Sequence, residues 1–327
     1  MAEIEQSEVT LVADIGGTNA RLGLATAPDQ PVRRIHKAAV REYPTFERVL
    51  AAYLDALDAP QPERLCIGLA GPVRDNRGAL TNGAWQLVGE DLAAYFGFRS
   101  VWIINDYVAQ AWALPYLKDP ELLRLGPAST EAQAQAPRLV CGPGTGLGVG
   151  TLAFAGKQPL VIEGEGGHIA FAPQNPLEIE ILSLMRRHYD RVSVERILSG
   201  AGLVALYSTL AEILQEPADQ LTPEEIVAQG LSGRDRLCKE TLMTFAGILG
   251  SFSGDLALAL GAFGGVYLTG GVSKALQYWL PDSPFRDRFE AKGRMRGLLA
   301  RIPTWLIIAD TPALTGAAAY LYHQEAV

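Results

Sequence analysis

The stretch Leu11-Val12-Ala13-Asp14-Ile15-Gly16-Gly17-Thr18-Asn19-Ala20-Arg21-Leu22-Gly23-Leu24 constrains the chain most. An apolar run enters from Val9, a glycine-rich turn interrupts it, and a second apolar run leaves. This pattern predicts strand, tight turn, strand: a hairpin with Gly16-Gly17 at its tip. Glycine tolerates positive φ and lets a phosphate approach the backbone with no Cβ in the way. Backbone N–H groups there, with the Thr18 hydroxyl and the Asn19 amide, can form an anion-binding nest. Asp14 stands at the strand's end, just before that nest. A carboxylate beside a phosphate cradle repels the phosphate unless a cation lies between them. Mg²⁺, held through water, is the natural filler. The plainer alternative is an ordinary hairpin whose aspartate caps its turn.

The pattern returns. Leu139-Val140-Cys141 leads into Gly142-Pro143-Gly144-Thr145-Gly146-Leu147-Gly148-Val149-Gly150, a second strand, glycine turn and strand. Two nests from two domains could grip opposite sides of one polyphosphate. Neither is a Walker loop, because no Gly-Lys-Ser/Thr follows, and neither is a dinucleotide fingerprint, because a strand and not a helix follows. With 327 residues, two domains are expected. The apolar share of 48% against 20% charged residues provides for a real core and argues against disorder.

Around these hairpins the sequence alternates. Val32 to Val40 reads as a third strand, and Tyr43 to Leu57 has helical spacing at Phe46, Val49, Leu50, Tyr53 and Leu54. Leu65 to Ala70 and Val101 to Ile104 read as buried strands, with a polar loop at Thr81-Asn82-Gly83 and a short helix from Glu90 to Phe98 between them. A mixed sheet with helices packed on it is expected. Asn105-Asp106 stands at the carboxyl end of a strand, where ligands gather in open α/β sheets, and opens a helix running to Leu114. The alternative there is an N-cap, which is compatible with catalysis. Leu117 to Pro137 reads as a linker with a surface segment.

Farther on, Gly164-Glu165-Gly166-Gly167-His168 puts a carboxylate and an imidazole on either side of two glycines, a pairing suited to neighbouring sugar hydroxyls. A solvated polar loop is the alternative. Glu195 stands near a turn and on its own reads as a helix-start glutamate. Leu177 to Tyr189, Ala201 to Leu214, Thr222 to Gln229 and Asp235 to Ala262 carry helical periodicity, the last with glycines that would let a neighbour approach closely. Val266 to Thr269 runs into Gly270-Gly271, a turn that admits a flat group such as adenine. Strand Trp305 to Ala309 and helix Pro312 to His323 finish the chain. The Thr315-Gly316-Ala317-Ala318-Ala319 face of that helix is expected to pack tightly at an interdomain hinge and to return to the first domain.

Several classes are disfavoured. Net charge is −8 with no Lys/Arg run, so a nucleic-acid footprint is not expected. The start, Met1-Ala2-Glu3-Ile4-Glu5, lacks the basic and apolar regions of a signal peptide. No apolar run approaches the ~20 residues of a membrane span. Cys66, Cys141 and Cys238 are far apart, have no metal-type spacing and suit a reducing cytoplasm as buried apolar side chains.

Asp14-Ile-Gly-Gly-Thr-Asn-Ala-Arg, Ile104-Asn-Asp, Gly144-Thr-Gly-Leu-Gly, Gly164-Glu-Gly-Gly-His, Val194-Glu-Arg-Ile-Leu-Ser-Gly and Phe263-Gly-Gly-Val-Tyr-Leu-Thr-Gly-Gly occur in that order. Together they resemble the non-ROK bacterial glucokinases of the sugar kinase, heat-shock chaperone and actin superfamily, over about Val9 to Tyr322. The resemblance implies α/β architecture: two actin-like (ribonuclease H-like) domains with mixed sheets flanked by helices and a cleft between them. The smaller would span 1–115 with 310–327, and the larger 116–309. It implies ATP-dependent phosphorylation of the glucose 6-hydroxyl in a cytoplasmic homodimer of glycolysis, with domain closure over the sugar. Asp106 would be the general base. Asn105, Glu165, His168, Glu195 and Asn82 would hold the sugar. Ala13, Asp14, Ile15, Gly16, Gly17 and Thr18 would form one phosphate loop and Gly144, Thr145 and Gly146 the other, with Gly270 and Gly271 facing adenosine. Asp14 would serve Mg²⁺ through water. ROK relatives carry a cysteine cluster for zinc after the Glu-Gly-His motif; Phe171 to Asp190 has no cysteine, so no zinc is expected. A kinase for fructose, mannose or N-acetylglucosamine, or a non-catalytic sugar-responsive regulator, are the alternatives. Asp106 weighs against a regulator, since a pure binder needs no base.

Overall fold

The structure, a computed structural model, describes residues 9–58, 61–81, 83–127 and 131–325. The chain divides into two compact units, Met1–Lys118 with Ala309–Val327, and Asp119–Ile308.

The first unit begins with the expected hairpin, β1 (Thr10–Ile15) and β2 (Asn19–Ala25), followed by β3 (Arg33–Ala39), α1 (Phe46–Asp55) and β4 (Arg64–Leu69). Then come β5 (Val73–Arg74), β6 (Arg77–Ala79), β7 (Gln86–Val88), α2 (Gly89–Phe96), β8 (Ser100–Asn105) and α3 (Asp106–Ala113). The main sheet has the order β3-β2-β1-β4-β8, and β5 to β7 form a small separate sheet. β1 pairs antiparallel with β2 but parallel with β4, and β4 pairs parallel with β8. Alternate strand residues Leu11, Ala13, Ile15, Leu65, Ile67 and Leu69 share one core cluster with Phe46, Val49 and Leu50 of α1. The period of two in the strands meets the helical period of α1 there. α3 and the C-terminal helix (Pro312–Glu325) pack on each other and on the sheet. Their approach is very close: a Cβ on Gly316 would stand 2.6 Å from the carbonyl carbon of Ala109 and 3.1 Å from the Ala113 nitrogen.

The second unit repeats the plan. It holds β9 (Leu122–Arg124), β10 (Arg138–Pro143), β11 (Leu147–Ala155), β12 (Gln158–Gly164), α4 (Pro176–Met185), α5 (Gly200–Leu214), α6 (Pro223–Ser232) and α7 (Arg236–Leu260). β13 (Val266–Leu268), α8 (Gly271–Ala275), α9 (Phe285–Glu290), α10 (Arg296–Leu299) and β14 (Thr304–Ile307) complete it. The sheet order β12-β11-β10-β13-β14-β9 matches the first sheet strand for strand, with β9 added at the edge. β9 lies in the stretch expected to be linker; it is a strand because it pairs antiparallel with β14.

Local chemistry sets the helix ends. Thr222 and Glu225 form a reciprocal capping box at α6, with Pro223 in the first turn and Gly233 at φ 67° closing the helix. α7 starts on the Asp235 side chain and stops at Gly261, φ 61°. Two of its glycines do what the sequence suggested: a Cβ on Gly250 or Gly254 would run into the backbone carbonyls of Phe285 and Phe289 in α9. α7 is long and apolar enough by length and composition to cross a membrane, but 67% of its most apolar window is buried inside the unit, as a core helix requires.

Candidate functional site

In the first unit the register of the sheet brings two sequence motifs, the Gly16-Gly17 turn and Asn105-Asp106, to one end. Ile15 is opposite Leu69, and Leu69 is opposite Asn105, so β1, β4 and β8 finish level. The Gly16-Gly17 turn closes with Gly16 N–H donating to the Asn19 carbonyl at 2.9 Å. A Cβ on Gly17 would meet nothing within 4 Å, so the turn is open on its outer side. The antiparallel register sets Arg21 opposite Asp14, and its guanidinium lies 3.3 Å from the Asp14 carboxylate. Asp14 is half-buried in this pair. Ala13 and Ile15 are wholly buried, whereas Gly17 and Thr18 are exposed, so only the turn itself offers groups to a ligand.

Asn105 caps α3. Its side-chain oxygen accepts the Tyr107 N–H at 2.8 Å, and its amide donates to the Gly71 carbonyl at 3.1 Å. The capping alternative raised for this pair therefore holds for Asn105, and one amide hydrogen is left after these bonds. Asp106 is the first residue of α3, half-buried, and its carboxylate accepts the Tyr107 N–H at 3.1 Å. The positive end of the helix dipole favours a negative charge there. Asn82 lies outside the described residues.

The second unit gathers the remaining motifs. The two glycine turns abut. A Cβ on Gly270 would strike the Pro143 carbonyl, one on Gly142 would strike the Thr269 carbonyl, and one on Gly144 would stand 4.0 Å from Gly271 N. Gly270 adopts φ 89°, a region that favours glycine. Within the other turn, Gly144 N–H donates to the Gly146 carbonyl at 2.8 Å, while Thr145 is exposed. The Gly166–His168 3-10 turn sits on the start of β11: a Cβ on Gly167 would strike the Leu147 carbonyl. Glu195, in the 3-10 turn Val194–Arg196, accepts the Leu147 N–H at 2.9 Å and lies 3.9 Å from His168 Nδ1. Glu195, His168 and the Gly144–Gly146 turn are thus brought together, with the exposed Glu165 carried on the same 3-10 turn as His168.

Some contributors escaped the sequence reading. Ser199 donates to the Glu195 carbonyl at 2.8 Å and caps α5 by accepting the Gly202 N–H at 3.0 Å; Arg21 and Ser199 lay inside recognised motifs without a role. Arg191 donates to the His168 carbonyl at 2.6 Å. Just after the Glu165–His168 turn, Glu178, 1% exposed, accepts from Gln174 N–H and the Asn175 amide and pairs with Arg288 at 2.7 Å. Asn175 and Glu178 stand at N-cap and N3 spacing, but no local pattern announces Arg191 on the His168 carbonyl or Arg288 against Glu178. Among the described residues no group of three or more His, Cys, Asp or Glu side chains could hold a metal ion. The cysteines are fully buried, and burial pushes the Cys141 and Cys238 thiols up to about 12.

The glucokinase family model matches residues 11–324. The glucokinase of Chromohalobacter salexigens is 42% identical over 316 residues, covering 96% of this chain and 98% of that one. A crystal structure of glucokinase from an Antarctic psychrotroph superimposes with a TM-score of 0.88 at 33% identity, covering 96% of this chain and 99% of the other. That of Balamuthia mandrillaris glucokinase in complex with glucose gives 0.82 over 96% and 93% of the two chains; at 21% identity it speaks for the fold alone. The fold is the actin-like fold of the sugar kinases, and the chain belongs to the glucokinase family, whose members are hexose-phosphorylating kinases.

Proposed function

We propose that the protein transfers the γ-phosphoryl group of ATP to the 6-hydroxyl of D-glucose, with Asp106 as general base. The observation that carries this reading is the Asp106 carboxylate on the first turn of α3, at the carboxyl end of β8, beside an Asn105 that two hydrogen bonds hold rigid. A 6-hydroxyl is a weak nucleophile at neutral pH. A carboxylate that accepts its proton as the bond to phosphorus forms contributes ~10²–10⁴ in rate. Glu165, Glu195 and His168 offer two charged acceptors and an imidazole to the other hydroxyls, with Asn105 and Asn82 as further sugar ligands. The Ala13–Thr18 and Gly144–Gly146 turns take the phosphates, and Gly270-Gly271 faces the adenosine.

Phosphoryl transfer depends on alignment and on neutralising phosphate charge. Asp14 fits a Mg²⁺ ion, since a single carboxylate beside an open glycine turn suits a cation bound mainly by water and phosphate oxygens. Bound there, the ion would neutralise charge on the phosphates, with Arg21 paired to the Asp14 carboxylate across the hairpin. A cytoplasmic homodimer of glycolysis completes the reading; three separated buried thiols suit a reducing compartment.

A coupled assay for ADP release across glucose, fructose, mannose and N-acetylglucosamine tests the substrate; faster turnover of another hexose would reassign it. Asp106→Asn should retain glucose binding and lose ~10²–10⁴ in kcat. Near-normal turnover by the purified variant would remove Asp106 as the base.

A further inference from the structure

The two carboxylate oxygens of Glu195 face different turns. Oε2 accepts the Leu147 N–H at 2.9 Å, and Oε1 stands 3.9 Å from His168 Nδ1. Leu147 is the residue by which the chain leaves the Gly144–Gly146 turn, and His168 closes the turn that carries Glu165. The carboxylate lies against the first turn where residue 146 has no side chain: a Cβ on Gly146 would stand 2.6 Å from Glu195 Oε2, so the carboxylate would have to move aside. The backbone beneath Glu195 is fixed separately. Ser199 Oγ donates to its carbonyl at 2.8 Å, and Gly200 N–H donates to the Gly144 carbonyl at 2.9 Å. The adaptable part is therefore the carboxylate itself, whose side chain is 30% exposed and open to a ligand.

We infer that Glu195 is a positioning residue for the Gly144–Leu147 turn, so that hexose and nucleotide strengthen each other's binding through its carboxylate. The inference rests on the proposed assignment of Glu195 to the hexose and of Gly144–Gly146 to the phosphates. A hexose hydroxyl bonded to Glu195 restricts the carboxylate, and the carboxylate holds Leu147 N–H by a charge-assisted bond, roughly twice as strong as a neutral one. The turn is then ordered before the phosphates arrive. Coupling of this kind is reciprocal, and factors of about 5–150 are usual.

Isothermal titration of the whole protein with glucose and with a non-hydrolysable ATP analogue plus Mg²⁺, singly and together, tests this. In the wild type each ligand should tighten the other about fivefold or more. Gly146→Ala should weaken glucose binding about tenfold in nucleotide-free protein, although Gly146 is assigned to phosphate. The backbone at 146 accepts alanine, since its φ is not in the left-handed region. Replacing the amide of Leu147 by an ester removes the N–H that Glu195 accepts and weakens the Gly146 carbonyl as an acceptor for Gly144 N–H; the coupling factor should then fall toward one while glucose still binds. This second variant decides the matter if Gly146→Ala does not fold. A wild type that phosphorylates glucose but binds the two ligands independently overturns the coupling and leaves the proposed function intact. So does a folded Gly146→Ala with wild-type glucose affinity in a wild type that binds glucose. A wild type that binds no glucose overturns both.

Discussion

Gly316→Ala provides a test whose sign separates two explanations. In an exposed helix interior, replacing glycine by alanine stabilises by about 0.5–1 kcal/mol, because alanine loses less backbone entropy. Gly316 is not in such a place. Its missing Cβ would stand 2.6 Å from the Ala109 carbonyl carbon and 3.1 Å from Ala113 N, and closer still to the Ala109 oxygen. Ordinary contact begins near 3.4 Å, so the C-terminal helix must retreat from α3 by about 1 Å or more. A gap of about 0.5–1 Å forfeits a quarter to a half of each dispersion contact it opens. Overpacking of this kind costs about 1–3 kcal/mol, which outweighs the propensity gain. The melting temperature should fall, by about 2–4 °C for each kcal/mol lost in a domain of this size. Urea unfolding followed by tryptophan fluorescence is a suitable assay, because Trp112 of α3 stacks on His323 at 4.9 Å and reports on this contact. Gly297→Ala in α10 is the control, since its Cβ would meet nothing within 4 Å and it should be neutral or slightly stabilising. A Gly316→Ala protein more stable than wild type would refute the close-packing argument. Because α3 also carries Asp106, kcat should fall along with stability.

Three further outcomes follow from the geometry. Asp14→Ala should weaken binding of the Mg²⁺–nucleotide complex and leave glucose binding largely intact; calorimetry giving the reverse would move Asp14 out of the phosphate site. Glu165→Gln should raise the glucose KM by the equivalent of about 1.5–3 kcal/mol, the net worth of a hydrogen bond to a charged group, with nucleotide KM little changed; unchanged glucose kinetics would remove Glu165 from the site. His323, bonded to the Tyr116 hydroxyl at 2.9 Å, has its pKa lowered below 6.5 by burial. The unfolded chain takes up this proton first as pH falls, so the contribution of His323 is complete above pH 6.5 and is lost progressively below it. Denaturation at pH 7.5 and 5.5 should show a larger loss for wild type than for His323→Gln.

What the sequence announces is local. The two glycine turns, Asn105-Asp106 and the Glu165–His168 turn are each set by residues adjacent in the chain, and a run such as Phe46, Val49, Leu50, Tyr53 and Leu54 states its own period. β9 was missed because Leu122-Leu123-Arg124 is too short to show a period; it becomes a strand through β14, from the other end of the unit's sequence. β5 to β7 have two or three residues each and exist only by pairing with one another. In the site, the positions of Glu165 and His168 were legible, but not the Arg191 side chain on the His168 carbonyl or the Arg288 side chain against Glu178. Those bonds join residues that meet only after the core of the unit has formed.

The first unit is closed by a helix that lies beyond the second unit in the chain. The whole of Asp119–Ile308 separates its strands from Pro312–Glu325. At about 5–20 residues per second, that insertion takes on the order of 10–40 s to synthesise. The second unit is continuous in the chain and can fold as it emerges. The unit that carries Asp14 and Asp106 must wait with the seat of its last helix uncovered, so the earlier half of the protein matures after the later half. A nascent chain halted before Pro312 would present an apolar face that chaperones recognise, and Asp106 would sit on a helix lacking its partner.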